Sequence, residues 1–206
     1  MKSLALSLFF ALVATLSADA QSFLYEQPMS PNGGTLRNSQ LWVDPSGQND
    51  LDSDAIAWED FTLPQCDGAG YRLYGADFCA PEHTLTVVNI AAEWCGPCQA
   101  ESSVMTETLV RSYAARGVRV IQILIQDRDY GPPTLELCDR WVARYNLTDN
   151  VEVIDPTGIT SGSFPSGSLP SSLIIDETGT ILYREDGASD ALVTLRAELD
   201  RALAGM

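Results

Sequence analysis

The sequence predicts an α/β fold in which a central mixed sheet is flanked by helices. Short apolar runs rich in Val, Ile and Leu alternate with segments of helical periodicity over most of the chain. Two of these runs are joined by a single helix, a connection that makes their strands parallel. Two later runs are joined by a tight turn, which makes their strands antiparallel. A sheet that contains both kinds of pair is mixed.

A hairpin-like extension is predicted at the start of the folded region. Residues 58–64 alternate apolar and polar side chains before a proline, as a short edge strand does. Asp67-Gly68 predicts a turn, and residues 71–74 predict the return strand.

The main elements follow in chain order. We expect a buried strand at 84–90, a helix at 97–115, a strand at 118–125, a helix at 134–146, a strand at 151–154, a strand pair at 171–175 and 180–184, and a helix at about 189–203. Pro97 suits the first turn of the first helix, and Gly117 ends it. Ser189 or Asp190 is the expected N-cap of the last helix, whose leucines repeat at helical spacing.

The first twenty residues have the pattern of a secretory signal peptide. Lys2 gives a positive start, residues 4–16 are mostly apolar, and residues 18–20 (Ala-Asp-Ala) resemble a cleavage site. The apolar run is short for a membrane-spanning helix, although an uncleaved anchor is the alternative. We therefore expect an exported protein, periplasmic or extracellular, with no stable membrane insertion after cleavage and with access to oxidising conditions.

The amino-acid composition separates an N-terminal arm from a folded domain, and the net charge argues against nucleic-acid partners. Residues 21–56 are rich in Pro, Gly, Ser and Asn and predict a flexible N-terminal arm, which leaves 57–206 as the folded domain. The formal net charge is −16, with 12 lysines and arginines against 28 acidic residues. Such a chain has no basic patch for phosphates, so we expect no nucleic-acid binding. We expect the protein to be a monomer.

The strongest chemical signal is Trp94-Cys95-Gly96-Pro97-Cys98, between a predicted strand and a predicted helix. Thiol–disulfide exchange needs one thiolate to attack and a second thiol to resolve the mixed disulfide. Cys95, at the helix N-terminus, is the expected attacking residue, and Cys98 is the expected resolving residue. Gly96 and Pro97 let the small ring close, and Trp94 is expected to shape the docking surface.

Other interpretations of the two cysteines are weaker. A structural zinc site needs two more ligands, and His83 is the only histidine. A purely structural disulfide across so short a ring gives little stabilisation. We therefore expect no metal and no cofactor.

Three motifs in order resemble one family. They are Phe61-Thr62-Leu63-Pro64 with Asp67-Gly68, the strand and cysteine pair at 88–98, and Leu169-Pro170-Ser171-Ser172-Leu173-Ile174-Ile175-Asp176. From about residue 58 the chain resembles the thioredoxin superfamily, and within it the exported TlpA/ResA-like thiol–disulfide oxidoreductases. Copper carriers of the Sco type share the fold, but their CxxxC and downstream histidine are absent.

The resemblance implies further site residues. Pro170 should follow a cis peptide bond and face the cysteines, and Leu169 and Pro170 should form the substrate groove. Asn89 stands where thioredoxins carry a buried acid that assists proton transfer. Glu93 is then the nearest replacement by sequence, unless it is only a solvated surface acid. The inserted helix at 134–146 is expected to help cover the site.

Three of the five cysteines lie outside the motif. Cys66 and Cys79 bracket the predicted hairpin, so we expect a structural disulfide between them, with an auxiliary redox pair as the alternative. Cys138 falls on the apolar side of the inserted helix and is expected to be a buried free thiol.

The predicted function is thiol–disulfide exchange with protein thiols and disulfides. An upstream electron donor is expected to supply the electrons. Gly-Pro between the cysteines resembles reducing thioredoxins, so we expect a disulfide reductase. A peroxiredoxin-like peroxidase is the second interpretation, but Ala92 occupies the place of that family's threonine. A non-catalytic binding module with the same fold is the third.

Overall fold

The computed structural model describes residues 60–76, 78, 80–160, 167–188 and 190–206. The predicted signal peptide (1–20) and N-terminal arm (21–56) lie outside the described residues, as do Cys79 and Ser189. Within the described part, no helix is both long and apolar enough to cross a membrane.

The elements follow the predicted order closely. The strands are β1 (Thr62–Pro64), β2 (Gly70–Arg72), β3 (Leu85–Ala91), β4 (Val118–Leu124), β5 (Val151–Ile154), β6 (Ser171–Asp176) and β7 (Ile181–Asp186). The α-helices are α1 (Gly96–Met105), α2 (Arg111–Tyr113), α3 (Leu135–Tyr145) and α4 (Val193–Ala204).

Five strands form one mixed sheet in the order β5-β4-β3-β6-β7. β3 pairs in parallel with β4, and β4 pairs in parallel with β5. β6 runs antiparallel to both β3 and β7. The predicted α/β class with a central mixed sheet is therefore confirmed.

The two faces of the sheet bury separate apolar clusters, because successive side chains of a strand point to opposite faces. Val87 of β3 belongs to the cluster under the helices, which also contains Cys95 and Cys98. Its neighbour Val88 belongs to the cluster on the other face, together with Phe61 of the N-terminal segment. The N-terminal extension thus covers the face of the sheet opposite the helices.

The predicted helix at 97–115 is not continuous. After α1, residues Thr106–Val110 form a π-helical turn, and Ala114–Arg116 form a 3₁₀ turn after α2. Hydroxyl groups compete for the backbone here: Ser112 Oγ donates to the Glu107 carbonyl at 2.8 Å. A π turn adds one residue to the turn, so the buried side chains Leu109, Val110 and Tyr113 in and after it are not at the regular α-helical spacing from those of α1.

The N-terminal hairpin is confirmed, but its predicted disulfide is wrong. β1 and β2 pair antiparallel around the Asp67-Gly68 turn. Cys66 bonds to Cys138 of α3, with the Cα atoms 5.2 Å apart, so it is not available to Cys79. Gly68 lies against the Leu135 side chain at the start of α3, so the turn packs on the helix rather than on the chain beyond β2.

It follows that Cys138 is not the free thiol that we expected. It is fully buried and disulfide-bonded. The disulfide ties the N-terminal hairpin to the inserted helix across a sequence separation of 72 residues.

The start of the last helix also differs from the prediction. Helix α4 begins at Val193, and its N-cap is Leu192 with φ 69°, so Asp190 does not cap it. Asp190, Ala191 and Leu192 all have positive φ and form a left-handed turn. Leu192 is fully buried, so burial of this side chain in the core offsets the loss of a polar cap.

Candidate active site

The two motif cysteines form a disulfide at the start of α1. The Cys95–Cys98 bond has Cα atoms 5.3 Å apart. Cys95 is the N-cap of α1, and its sulfur accepts a hydrogen bond from the Cys98 backbone N–H at 3.1 Å. The Cys95 sulfur therefore lies where the unpaired N–H groups of the first helical turn favour a negative charge.

The surface beside the disulfide is formed by Trp94, Gly96 and Pro97. Cys95 is only 2% exposed and Cys98 is fully buried, whereas these three neighbours are exposed. Trp94 Nε1 donates to Gln126 Oε1 at 2.9 Å, and its ring lies 5.1 Å from that of Tyr130. The indole is thus held in place by Gln126 and Tyr130 while remaining 36% exposed, so that a docking partner can contact it.

Glu93 is fixed by the loop after β4. Its Oε2 accepts from the Arg128 backbone N–H at 3.0 Å, and its Oε1 lies 3.9 Å from the guanidinium groups of Arg128 and Arg140. Its own carbonyl accepts from Gln99 Nε2 at 2.7 Å. These contacts hold the Glu93 carboxylate against the loop after β4. Glu93 is therefore a poor candidate for the group that accepts a proton from Cys98.

A buried polar network lies under the cysteine pair, on the helical face of the sheet. Asn89, Gln122 and Ser172 lie side by side on β3, β4 and β6. Asn89 Nδ2 donates to Ser172 Oγ at 3.0 Å, and Gln122 Nε2 donates to Asn89 Oδ1 at 2.7 Å. Gln122 Nε2 also donates to Ser102 Oγ of α1 at 3.0 Å.

Glu101 completes this network and was missed at the sequence level. It is 1% exposed and lies one helical turn after Cys98 on α1. Its Oε2 accepts from Asn89 Nδ2 at 3.1 Å. The available signal was a polar residue inside each of three predicted strands, because a buried polar side chain requires a polar partner.

The inserted helix α3 is joined to the same network. Trp141 Nε1 donates to Gln122 Oε1 at 2.8 Å. Leu137, Cys138 and Trp141 are buried in the apolar cluster that contains Cys95 and Cys98. This helix therefore covers the side of the site next to α1.

The Leu169–Pro170 peptide bond is cis, as predicted. β3 and β6 are antiparallel with Ile90 opposite Ser171, so Pro170 lies opposite Ala91 at the end of β3 that leads to Cys95. Leu169 is half-buried, and the Pro170 carbonyl accepts from the Gly187 backbone N–H at 2.7 Å. Leu169 and Pro170 therefore lie at the end of the sheet from which the chain continues to Cys95, as a groove beside the cysteines requires. Their role in substrate binding remains a prediction.

Comparisons with known proteins agree with this architecture. The Redoxin family model matches residues 57–203. The thiol:disulfide interchange protein CycY of Rhizobium leguminosarum bv. viciae is 30% identical over 105 residues, which are 51% of this chain and 51% of that protein. The chain therefore spans about half the length of the curated relative that it matches.

Solved structures have the same fold at low sequence identity. A Chlorobium tepidum protein provisionally named thiol:disulfide interchange protein DsbE is 22% identical, with a TM-score of 0.59 over 73% of this chain and 98% of that chain. A thiol-disulfide oxidoreductase from Bacteroides fragilis is 23% identical, with a TM-score of 0.55 over 70% of this chain and 99% of that one. The predicted thioredoxin-like fold is confirmed.

Proposed function

Given that the chain belongs to the Redoxin family, we propose that it is an exported thiol–disulfide oxidoreductase that reduces protein disulfides through Cys95 and Cys98. The observation that carries the proposal is the Cys95–Cys98 disulfide at the N-terminus of α1, with Cys95 as the N-cap. When the bond is reduced, the helix N-terminus stabilises a thiolate on Cys95, and the Cys98 sulfur lies close enough to bond to it again.

The first step is attack by the reduced protein on a substrate disulfide. The Cys95 thiolate forms a bond to one substrate sulfur, the substrate S–S bond breaks, and the other substrate sulfur leaves with the electron pair and takes up a proton. The helix N-terminus favours the attacking thiolate before the step. Trp94, Gly96 and Pro97 present the exposed surface on which the substrate docks, and Leu169 and Pro170 form the groove beside it.

The second step releases the reduced substrate. The Cys98 thiol gives up a proton and its sulfur bonds to the Cys95 sulfur, so the mixed disulfide breaks and the second substrate sulfur leaves and is protonated. Glu101, one turn from Cys98 and buried, accepts the Cys98 proton. Two electrons have then passed to the substrate, and an external dithiol donor reduces Cys95–Cys98 again.

Several features of the sequence support the remaining parts of the proposal. The signal-like segment at 1–20 supports export to the periplasm or the outside of the cell. Gly96-Pro97 supports the reductive direction by its resemblance to reducing thioredoxins. The protein acts as a monomer on protein partners, an assignment that light scattering of the purified chain tests.

The decisive experiment is a disulfide-reduction assay with the pre-reduced full chain and a peptide disulfide. Cys95→Ser should abolish reduction, and Cys98→Ser should stop at a mixed disulfide that mass spectrometry detects on Cys95. Cys79→Ser, outside both disulfides, is the matched control and should keep wild-type activity. Peptide reduction that persists in Cys95→Ser would overturn the proposal, as would peroxide consumption as the only activity.

A redox titration of Cys95–Cys98 tests the direction. A potential of about −270 mV, as in thioredoxin, supports a reductase, whereas about −120 mV, as in a strong oxidant, would reverse the direction. Mass mapping at each point assigns the titrating pair.

A further inference from the structure

A cleft of about 490 Å³ lies next to the disulfide, between α1, α3 and the loop after β4. Gln99, which follows Cys98, lines it on one side, and Trp141 of α3 lines it on the other. Glu93, two residues before Cys95, also lines the cleft. A substrate segment bound in this cleft therefore contacts residues that closely flank the two cysteines in the sequence.

Positive charge is concentrated in this cleft although the chain is strongly acidic. The whole sequence has 12 lysines and arginines and a net charge of −16. Three of these cations, Arg128, Arg140 and Arg144, line the cleft. Such a concentration in an acidic chain favours a ligand of negative charge at this one place.

The three arginines are only partly neutralised by nearby carboxylates. Arg140 pairs with Glu136 at 3.0 Å, and Glu93 lies 3.9 Å from both Arg128 and Arg140. In the described part of the chain, Arg144 has no carboxylate within ion-pair distance, and its guanidinium lies over the Tyr145 ring at 5.4 Å. Arg128 and Arg144 are therefore the cations with the most capacity for an added anion.

A second polar group beside the arginines lacks a partner. The Tyr145 hydroxyl is buried and has no hydrogen-bond partner among the described residues. Burial raises the pKa of Tyr145, with the charges of Arg144 and Glu93 acting in opposite directions. The hydroxyl thus stays neutral, so the Tyr145 ring beside Arg144 adds no negative charge that would neutralise this arginine.

We propose that this arginine cleft binds a carboxylate on the substrate, so that disulfides flanked by acidic residues are the preferred substrates. The inference rests on the proposed function of Cys95 and Cys98. The ligand is a segment of the substrate chain rather than a free anion, because the cleft adjoins the docking surface at Trp94. The arginines offset locally the repulsion between an acidic substrate and the acidic protein.

Matched peptide disulfides test the proposal. Three peptides differ only in Glu, Gln or Lys beside the cysteine, and their reduction rates by the pre-reduced full chain are measured at low and high salt. We expect the Glu peptide to react about fivefold faster than the Gln peptide at low salt, the Lys peptide to react most slowly, and the differences to shrink in high salt. The readout is the ratio of rates, which a general loss of activity does not change.

Variants locate the effect. Arg128→Gln combined with Arg144→Gln should bring the Glu-to-Gln ratio close to one. Arg111→Gln combined with Arg201→Gln removes two exposed arginines outside the cleft and should keep the wild-type ratio. Circular dichroism melts check that both double variants fold.

The outcomes separate this inference from the proposed function. Equal rates for the Glu and Gln peptides in the wild type would overturn the arginine cleft and leave the reductase intact. Failure to reduce any of the three peptides would overturn the reductase itself. Free glutarate that slows all peptides alike would identify a small-anion site and would overturn the substrate assignment.

Discussion

The side-chain amide of Asn89 donates a hydrogen bond at 3.1 Å to the buried carboxylate of Glu101, which lies one helical turn after Cys98. An amide side chain such as that of Asn89 cannot take a proton from a thiol, whereas a carboxylate such as that of Glu101 can. The buried acid that is missing at position 89 on β3 thus has a counterpart in Glu101 on the helix that carries the cysteines, rather than in Glu93, which was the nearest candidate by sequence. This relationship leads to the first prediction.

Glu101→Gln should slow the second half of the reaction. Glutamine has nearly the same shape and still accepts from Asn89, but it cannot take the Cys98 proton. We expect release of the reduced substrate from the mixed disulfide to fall by at least about tenfold near neutral pH. Stopped-flow measurement of that step against pH separates a proton-transfer role, which alters the pH profile, from a structural one. Glu107→Gln, at an exposed position further along the same segment, should change neither rate nor profile.

Loss of the Cys66–Cys138 bond should destabilise the fold without abolishing reduction. The sequence separation of 72 residues corresponds to about 4 kcal/mol in the loop-entropy account of disulfides. Urea unfolding of the Cys66→Ala, Cys138→Ala double variant against the wild type measures this loss. Mass mapping of the oxidised wild type should yield a peptide pair joined through these two cysteines; a Cys66–Cys79 pair would contradict the assignment.

Gln122→Met should destabilise the protein although the two side chains are similar in size. Gln122 accepts from Trp141 Nε1 and donates to Asn89 and Ser102, so methionine leaves their buried polar groups unpaired. Each such group costs about 1–3 kcal/mol, partly relieved by rearrangement. Thermal melts should therefore show a clear loss, whereas Gln126→Met, at the half-buried partner of Trp94, should cost much less. Equal melting temperatures for the two variants would argue against a structural role for the network.

Glu152→Gln should stabilise the protein, increasingly so as the pH rises. Glu152 on β5 is buried; Asn150 Nδ2 donates to its Oε2, while its Oε1 has no partner among the described residues. Burial raises the pKa of Glu152 well above its ordinary value of 4.5. Between the unfolded and the folded pKa the native state binds more protons than the unfolded state, so its stability falls as the pH rises through that window.

The substitution removes this cost, so the gain should be small near pH 4 and reach at least about 1 kcal/mol at pH 8. Denaturant unfolding at both pH values measures it. Glu82→Gln, at an exposed position, serves as the control and should show no comparable gain. A gain at Glu152 that is the same at both pH values would rule out ionisation as its cause.

Local sequence patterns predicted much of the fold. Apolar runs with turn and helix signals predicted the strands and helices, because each signal acts within a few residues. The position of the cysteine pair between β3 and α1 likewise depends on neighbours in sequence. The family resemblance supplied the cis bond before Pro170, which no local rule predicts.

Features that depend on distant contacts were not predictable in the same way. Cys66 is bonded to Cys138 because the turn after β1 packs on α3. That contact depends on where the whole hairpin packs, so the spacing of the cysteines in the sequence does not predict it. Leu192 is the N-cap of α4 although it has no polar side chain, because burial of its side chain in the core stabilises this position. Glu101 became visible as a site residue only when Asn89, Gln122 and Ser172 were aligned across three strands.

The Cys66–Cys138 bond also makes one covalent ring of everything between its ends, including β3, α1, β4 and both motif cysteines. A single proteolytic cut at the exposed residues 128–130 of the loop after β4 would therefore open the ring without releasing a fragment. The nicked molecule would run as one band on a non-reducing gel and as two after reduction. A protease that cuts this loop would thus leave the Cys95–Cys98 pair covalently joined to the rest of the molecule.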